Sequence, residues 1–384
     1  MSGRRRWLGQ ALQSGLAGVA GLAAGAAPRA NPAGAAAPYD DRIRPGRALA
    51  FPRDHGAHPA ARIEWWYATG WLQADQPGAG LIGFQLTFFR SRTGLAETLP
   101  GRFAPRQLLF AHAAVSDIAG QKHRHAQRIS RWSGDETLPE AHAVRSDTAV
   151  ALGRWTLRRQ AGGPYQALLA APEAGFALDL HLQPSQPLLL QGQAGYSRKG
   201  PVAGQASHYY SVPQLAVGAQ LSLDGKRQTL AGRGWLDHEW SDELLAPGAV
   251  GWDWIGINLL DGGALTAFVL RRADGSVLWA GGSHRPVAGV VRDFSPDEVV
   301  FTALRHWVSP ATGVRYPVQW RVRCPAGQFE LRALLDAQEL DSSASTGTVY
   351  WEGLAELLGA GGARIGLGYL EMTGRGRPLR LGLS

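Results

Sequence analysis

The sequence contains a single cysteine, Cys324, in 384 residues. It therefore forms no internal disulfide and no metal centre built on several thiolates. In the alternating run Val318-Gln319-Trp320-Arg321-Val322-Arg323-Cys324 that residue reads as a small buried hydrophobe, not a nucleophile. Charged residues are few, at 18%, and the arginines are scattered, which argues against a nucleic-acid footprint. There is no Gly-x-Ser-x-Gly string, so nothing supports a serine nucleophile on a strained elbow. No glycine-rich stretch carries the Gly-Lys-Ser/Thr of a phosphate loop. Beyond the first 26 residues no apolar run is long enough to cross a bilayer as a helix.

Glycine, proline and tryptophan are plentiful: 50, 23 and 14 residues. Hydrophobic residues make up 45%, enough for real cores, and the length suits two domains. Many Gly and Pro between short apolar runs predict many short strands and turns. Ile82, Phe84, Leu86 and Phe88 alternate with Gly83, Gln85, Thr87 and Phe89. The runs 176–182, 318–323 and 329–332 alternate in the same way, with one face for a core and one for water or a lumen. Asp224-Gly225 predicts a tight hairpin. Short helices are expected only at Pro105–Phe110 and Ser241–Leu245.

Residues 1–26 read as an export leader. Arg4, Arg5 and Arg6 precede a weakly apolar run and the small residues Ala24-Gly25-Ala26, and Gly3 to Leu8 is similar to the twin-arginine pattern. The formal charge of +8 falls to +5 without those three arginines. A flexible lead-in is expected over 27–45, then an N-terminal domain over 46–225 and a C-terminal domain over 226–384. A weak repeat supports two halves. Glu64-Trp65-Trp66-Tyr67-Ala68-Thr69-Gly70-Trp71-Leu72 and Gly251-Trp252-Asp253-Trp254-Ile255-Gly256-Ile257-Asn258-Leu259 are each followed by an apolar strand that ends in Arg, at Arg90 and Arg271.

Five strings carry a family resemblance: Glu64 to Gly70, Gly234-Trp235-Leu236-Asp237-His238-Glu239-Trp240-Ser241, Gly251 to Trp254, Tyr350-Trp351-Glu352-Gly353, and Gly368-Tyr369-Leu370-Glu371-Met372-Thr373-Gly374. In this order they resemble the AttH-like, lipocalin-like family of predicted secreted hydrolases, which includes bacterial carotenoid 1,2-hydratases. The resemblance covers about residues 50–378. It implies an all-β chain of two tandem lipocalin-like antiparallel barrels, an extracytoplasmic, periplasmic or secreted location, and a place beside an ABC-type exporter. In the family's hydratases a His-x-Trp pair is implicated in activity, and His238 and Trp240 match it. The acid those enzymes need further on has its nearest candidate in Asp253.

The expected chemistry is acid-catalysed hydration of an alkene in an apolar, lipid- or isoprenoid-like ligand. An alkene is a feeble base, so a carboxyl must stay protonated near neutral pH, as burial in an apolar pocket arranges. Asp253 between Trp252 and Trp254 is that carboxyl, with Asp237 a further candidate. Indole faces would stabilise the cation, and His238 would orient the water. Trp65, Trp66, Tyr67, Tyr209, Trp252, Trp254 and Trp351 are the expected ligand contacts. No cofactor or metal is required. His55-x-x-His58 with Glu64 nearby has metal-ligand character, but a loop before Pro59 more often carries solvated histidines. His123-x-His125 reads as a surface loop. Glu64, Asp237 and Glu352 serve equally well as structural acceptors for an indole N–H or an arginine. The alternative function is non-enzymatic: a ligand carrier or accessory protein of an ABC-type exporter.

Overall fold

The computed structural model describes residues 41–379 apart from positions 77, 96, 100, 102 and 103. The leader expected over 1–26 and most of the lead-in lie outside the described residues. At the end of that lead-in Asp41 is buried and pairs with Arg53 at 3.0 Å.

Strands dominate, and they form two antiparallel sheets. The first holds β1 (Ile63–Gln73), β2 (Ile82–Arg92), β3 (Gln107–Asp117), β4 (Lys122–Trp132), β5 (Ala141–Ala143), β6 (Ala149–Leu152) and β7 (Trp155–Arg159). It continues with β8 (Tyr165–Ala171), β9 (Phe176–Gln183), β10 (Leu189–Leu190), β11 (Tyr196–Arg198), β12 (Ala206–Leu223) and β13 (Lys226–Ser241). The second begins with β14 (Gly251–Leu259), β15 (Ala264–Arg271), β16 (Val277–Arg285), β17 (Arg292–Phe294) and β18 (Val300–Val308). It ends with β19 (Arg315–Cys324), β20 (Gly327–Ala333), β21 (Glu339–Asp341), β22 (Val349–Leu358) and β23 (Arg364–Met372). The first sheet runs β4-β3-β2-β1-β13-β12-β9-β8-β7-β6-β5, the second β17-β16-β15-β14-β23-β22-β20-β19-β18. The fold is the expected pair of tandem barrels, the first nearly closed. Its edges approach one another, because Arg128 on β4 lies 4.8 Å over the Trp155 ring on β7 and donates to the carbonyl of Ala170.

The alternating runs at 82–89, 176–182, 318–323 and 329–332 lie in β2, β9, β19 and β20. Asp224 and Gly225 turn the β12–β13 hairpin with φ of 49° and 79°, the left-handed pair that a two-residue turn requires. The two expected helices are absent. Residues 107–110 open β3, whose Leu109, Ala111, Ala113 and Val115 enter the first core in strand alternation. A six-residue stretch with only Leu108, Leu109 and Phe110 as its large apolar residues carries no helical period of its own, so pairing with β2 and β4 decides its form. Ser241 ends β13, and the following residues are the connection to the second sheet. That connection, 242–250, is where the chain changes sheets. The expected boundary at 225 falls instead on the β12–β13 turn, within the first sheet.

The two sheets touch through their central strands. Each of these strands buries both faces, one in its own barrel and one against the other sheet. That is why they read as near-continuous Trp-rich runs. Tyr67, Trp71 and Trp235 of the first sheet pack with Trp254, Phe268, Leu354 and Tyr369 of the second. Tyr67 and Trp254 meet edge to face at 5.5 Å, a favoured aromatic geometry. Gly83 makes room on β2: a Cβ there would stand 2.8 Å from the Tyr369 hydroxyl. A bulge in β12 adds a polar bolt. The Gln214 amide N–H donates to Asn258 Oδ1 at 2.7 Å, and Asn258 Nδ2 donates to the Gly234 carbonyl at 2.9 Å.

Candidate functional site

Two polar clusters use adjacent residues of β13. Side chains alternate along a strand, so Asp237 and Glu239 leave one face and His238 and Trp240 the other, as the sequence predicts.

His238 and Trp240 point into the first barrel. His238 Nε2 meets Glu64 Oε1 at 2.9 Å and its Nδ1 meets the Tyr210 hydroxyl at 3.1 Å. Trp66 stacks on its ring at 4.9 Å. His58 bridges Glu64 Oε1 at 2.7 Å and Asp54 Oδ1 at 2.8 Å, and Trp240 stacks on it at 3.7 Å. Arg90 donates to Glu64 Oε2 at 3.0 Å and to three neighbouring oxygens. Burial pushes the Glu64 carboxyl up, but Arg90, His58 and the hydrogen bonds from both histidines outweigh it and hold it well below its ordinary value. The 55–58 loop is therefore not solvated: His55 and His58 are buried because they plug this barrel. His58, Glu64 and His238 bring donor atoms within 4.8 Å of one another. Every ring nitrogen of the two histidines already has a partner, and Arg90 already neutralises Glu64, so the donor set is that of a hydrogen-bond network. His123 and His125 lie on β4, and His123 Nδ1 bonds the Ser116 hydroxyl at 2.9 Å.

Asp253 also departs from expectation. Trp252 and Trp254 flank it in sequence but face the other way, because neighbours on a strand point to opposite sides. Asp253 enters the second barrel, bonded by Arg271 at 2.9 Å and Arg375 at 2.7 Å. It is a salt-bridge partner there, not an acid in an apolar pocket. Trp351 and Trp66 likewise sit in the second and first cores.

The other face of β13 opens on a cavity of about 160 Å³ between the two sheets. Trp65, Tyr67, Tyr209, Trp252 and Trp254 line it, with Phe89 and Phe268. So do Asp237, Glu352 and Glu371. Their placement is two-fold in pattern. Asp237 stands across from Tyr67 on β1 and Ser211 on β12, and Glu371 across from Trp254 on β14 and Glu352 on β22. Glu352 thus occupies the place of Ser211.

Asp237 accepts hydrogen bonds from Ser211 at 2.5 Å, the Trp235 indole at 2.7 Å and Tyr209 at 2.9 Å. Burial outweighs all three and raises its carboxyl to about 7. Glu371 is raised to about 7, by burial first, with Asp237 and Glu239 adding repulsion. Glu352, only 2% exposed, is pushed well above its ordinary value by burial and by Glu371 directly opposite. Its Oε1 and the Tyr67 hydroxyl are buried without hydrogen-bond partners. Two buried carboxyls facing each other across paired strands repel when both are ionised, which favours the protonated form of each. Among the described residues, Lys199 is the one lysine or arginine that lines the cavity, and it pairs with Glu239 at 3.1 Å. Near neutral pH the cavity thus holds proton donors and acceptors side by side among indole and phenol rings.

Glu352 and Glu371 are absent from the sequence-derived acids. The signal for Glu371 is the repeat itself, since Gly234-Trp235-Leu236-Asp237 and Gly368-Tyr369-Leu370-Glu371 share a Gly-aromatic-Leu-acid pattern. Lys199 and His112, which also line the cavity, carry no such signal, because they come from a loop and a strand remote in sequence.

The AttH-like family model matches residues 42–375. An AttH protein of Nitrosomonas europaea is 45% identical, with 87% of this chain and 99% of that one covered and a TM-score of 0.79. Kievitone hydratase of Nectria haematococca matches at 12% identity over 84% of this chain and 92% of its own, with a TM-score of 0.65, a likeness of fold. No curated protein sequence matches. With its family model matched from the first described strand to the last, and a close relative covered end to end, this chain belongs to the AttH-like family.

Proposed function

We propose that the cavity between the barrels binds an apolar, isoprenoid-like ligand and adds water across one of its double bonds by acid catalysis. The observation that carries this reading is the set of buried carboxyls, Asp237, Glu352 and Glu371, raised toward or above neutrality in an aromatic chamber without a cationic partner. Protonated carboxyls of this kind have the strength and the surroundings for proton transfer to an alkene carbon. The resulting tertiary cation lies among the faces of Trp65, Trp252 and Trp254, which stabilise positive charge. Water then attacks the cation, and an ionised carboxylate of the same group takes the proton it releases. One proton enters at carbon and one leaves from water, so ligand plus water gives the alcohol and the site is restored. Kievitone hydratase, a hydratase by name with this fold, supports the reaction class. Periplasmic action, exported through the leader-like residues 1–26, is part of the proposal.

The test begins with native mass spectrometry of the mature protein and extraction of any bound lipid, followed by incubation with acyclic isoprenoid alkenes. The expected product is heavier by one water. Asp237→Asn and Glu371→Gln should each lower turnover by about a hundredfold or more while leaving the melting temperature and ligand retention intact. Full turnover in both variants would overturn the assignment. Retention of ligand with no turnover in the wild type would turn the reading to a carrier that serves an ABC-type exporter.

A further inference from the structure

Hydration needs a water held against the cation. His238, the residue expected to orient it, points into the first barrel, away from the cavity. Two other side chains supply what is required. Tyr67 of β1 and Glu352 of β22, one from each sheet, both line the cavity. They are 8% and 2% exposed, and the Tyr67 hydroxyl and Glu352 Oε1 are buried without a hydrogen-bond partner among the described residues.

Packing and register bring the two together. The Tyr67 ring meets Trp254 edge to face at 5.5 Å. Trp254 pairs across the ladder with Glu371, and Glu371 with Glu352. The phenol also lies within electrostatic reach of the carboxyl: burial first, then Glu352, pushes the Tyr67 hydroxyl well above its ordinary value. Buried polar groups without partners are costly, and one oxygen between these two satisfies both. That oxygen accepts from the phenol and donates to Glu352 Oε1, which water does and a carbonyl does not. The neighbours favour water over an oxygen of the ligand. Tyr67 stands directly across from Asp237 on β13, and Glu352 directly across from Glu371 on β23. We infer that the Tyr67 hydroxyl and Glu352 Oε1 hold the water that attacks the cation, with Asp237 and Glu371 on either side of it. The inference rests on the hydration reading for the fate of that water, not for its place.

The water accepts the Tyr67 hydrogen with one lone pair and donates one hydrogen to Glu352 Oε1. One lone pair and one hydrogen remain. The alkene carbon takes a proton from Asp237 or Glu371, the remaining lone pair forms the carbon–oxygen bond, and the remaining hydrogen passes as a proton to the carboxylate just formed. Alkene and water become the alcohol, and the acid is restored. Tyr67 and Glu352 end with the protons they began with. Both touch a reacting atom and are catalytic in that sense, although neither gives up its proton. The faces of Trp65, Trp252 and Trp254 are left for the hydrocarbon.

Two measurements test the assignment. A high-resolution crystal structure of the ligand-free mature protein should show an ordered water within hydrogen-bond distance of both the Tyr67 hydroxyl and Glu352 Oε1, lost in Tyr67→Phe. A direct hydrogen bond between Tyr67 and Glu352 in its place overturns the inference. The second measurement follows an acyclic isoprenoid alkene in heavy water. A cation that misses its water loses a proton instead and returns alkene that carries deuterium. The wild type should give mainly alcohol. Tyr67→Phe and Glu352→Leu should each raise the ratio of deuterated alkene to alcohol about tenfold. Glu352→Gln, whose amide oxygen still accepts, should keep the wild-type ratio. A purely structural role lowers both products together and leaves the ratio fixed. An unmoved ratio in Tyr67→Phe therefore overturns the water seat while the hydration reading stands. Neither product from the wild type overturns hydration itself, and the inference with it.

Discussion

Asp237 and His238 are neighbours in the chain and belong to opposite worlds. Inside the first barrel, Glu64 is as buried as a side chain can be, yet Arg90 and two histidines hold its carboxyl well below its ordinary value. On the other face of the same strand, Asp237, Glu352 and Glu371 are raised, and no cation compensates them. Polar density is similar in the two places. What differs is compensation: in one cluster Arg90 and the histidines pair the carboxylate, although the Trp240 indole N–H has no partner, while the other keeps protons and lone pairs for something else. A compensated cluster organises a barrel, and an uncompensated one is available for chemistry.

Substitution should separate the two most sharply. Glu64→Gln leaves Arg90 buried without its counter-charge and should cost about 3–5 kcal/mol of unfolding free energy. Glu352→Gln replaces a neutral carboxyl by a neutral amide and should cost less than about 1 kcal/mol. Denaturant titration of both variants reads the difference, and equal costs would erase the distinction.

The pH dependence is the next largest effect, with opposite signs. The Asp237 carboxyl is at about 7 when folded, against an ordinary 3.8. Between those values the folded state holds a proton that the unfolded chain has released. Its contribution to stability therefore falls as pH rises, by up to about 1.4 kcal/mol per pH unit. The depressed Glu64 works the other way. Its stabilisation is complete above its ordinary value of 4.5 and is lost as pH falls toward its folded value. Unfolding free energies measured from acid to neutral pH should show Asp237→Asn flattening the near-neutral decline. A decline of unchanged slope in that variant would place the excess proton elsewhere.

The smallest effect belongs to Tyr67→Phe. It removes a buried hydroxyl that has no partner and should raise stability by about 1 kcal/mol or less. A lower melting temperature would mean that the hydroxyl bonds Glu352 after all.

Most of the architecture was legible in the sequence. Period-two runs, one Asp-Gly turn and the Trp-rich repeat were enough for two β-rich halves, and the family resemblance supplied the pair of barrels. The helix expected at Pro105–Phe110 failed because six residues are too few to distinguish periods. The sheet boundary was misjudged because β13 reads as the start of the second half but pairs with β1 and β12. Within the site, alternation correctly separated Asp237 from His238, yet it could not say which face held the cavity. The family's His-x-Trp match drew attention to the barrel side. Asp253 looked like an acid between indoles only in one dimension. Its arginines, Arg271 and Arg375, come from the next strand and from the far end of the chain. No local pattern announces a partner more than a hundred residues away.

The exchange of Ser211 for Glu352 at equivalent places has a consequence for the ligand. A chamber whose two walls were identical would receive an elongated molecule in either of two orientations and treat both alike. Here one wall carries a lone acid gripped by three donors, and the other a pair of carboxyls that face and repel each other. The broken symmetry gives the chamber a head and a tail, so on the proposed hydration an elongated guest would enter with one end preferred and its new stereocentre would be made with one hand.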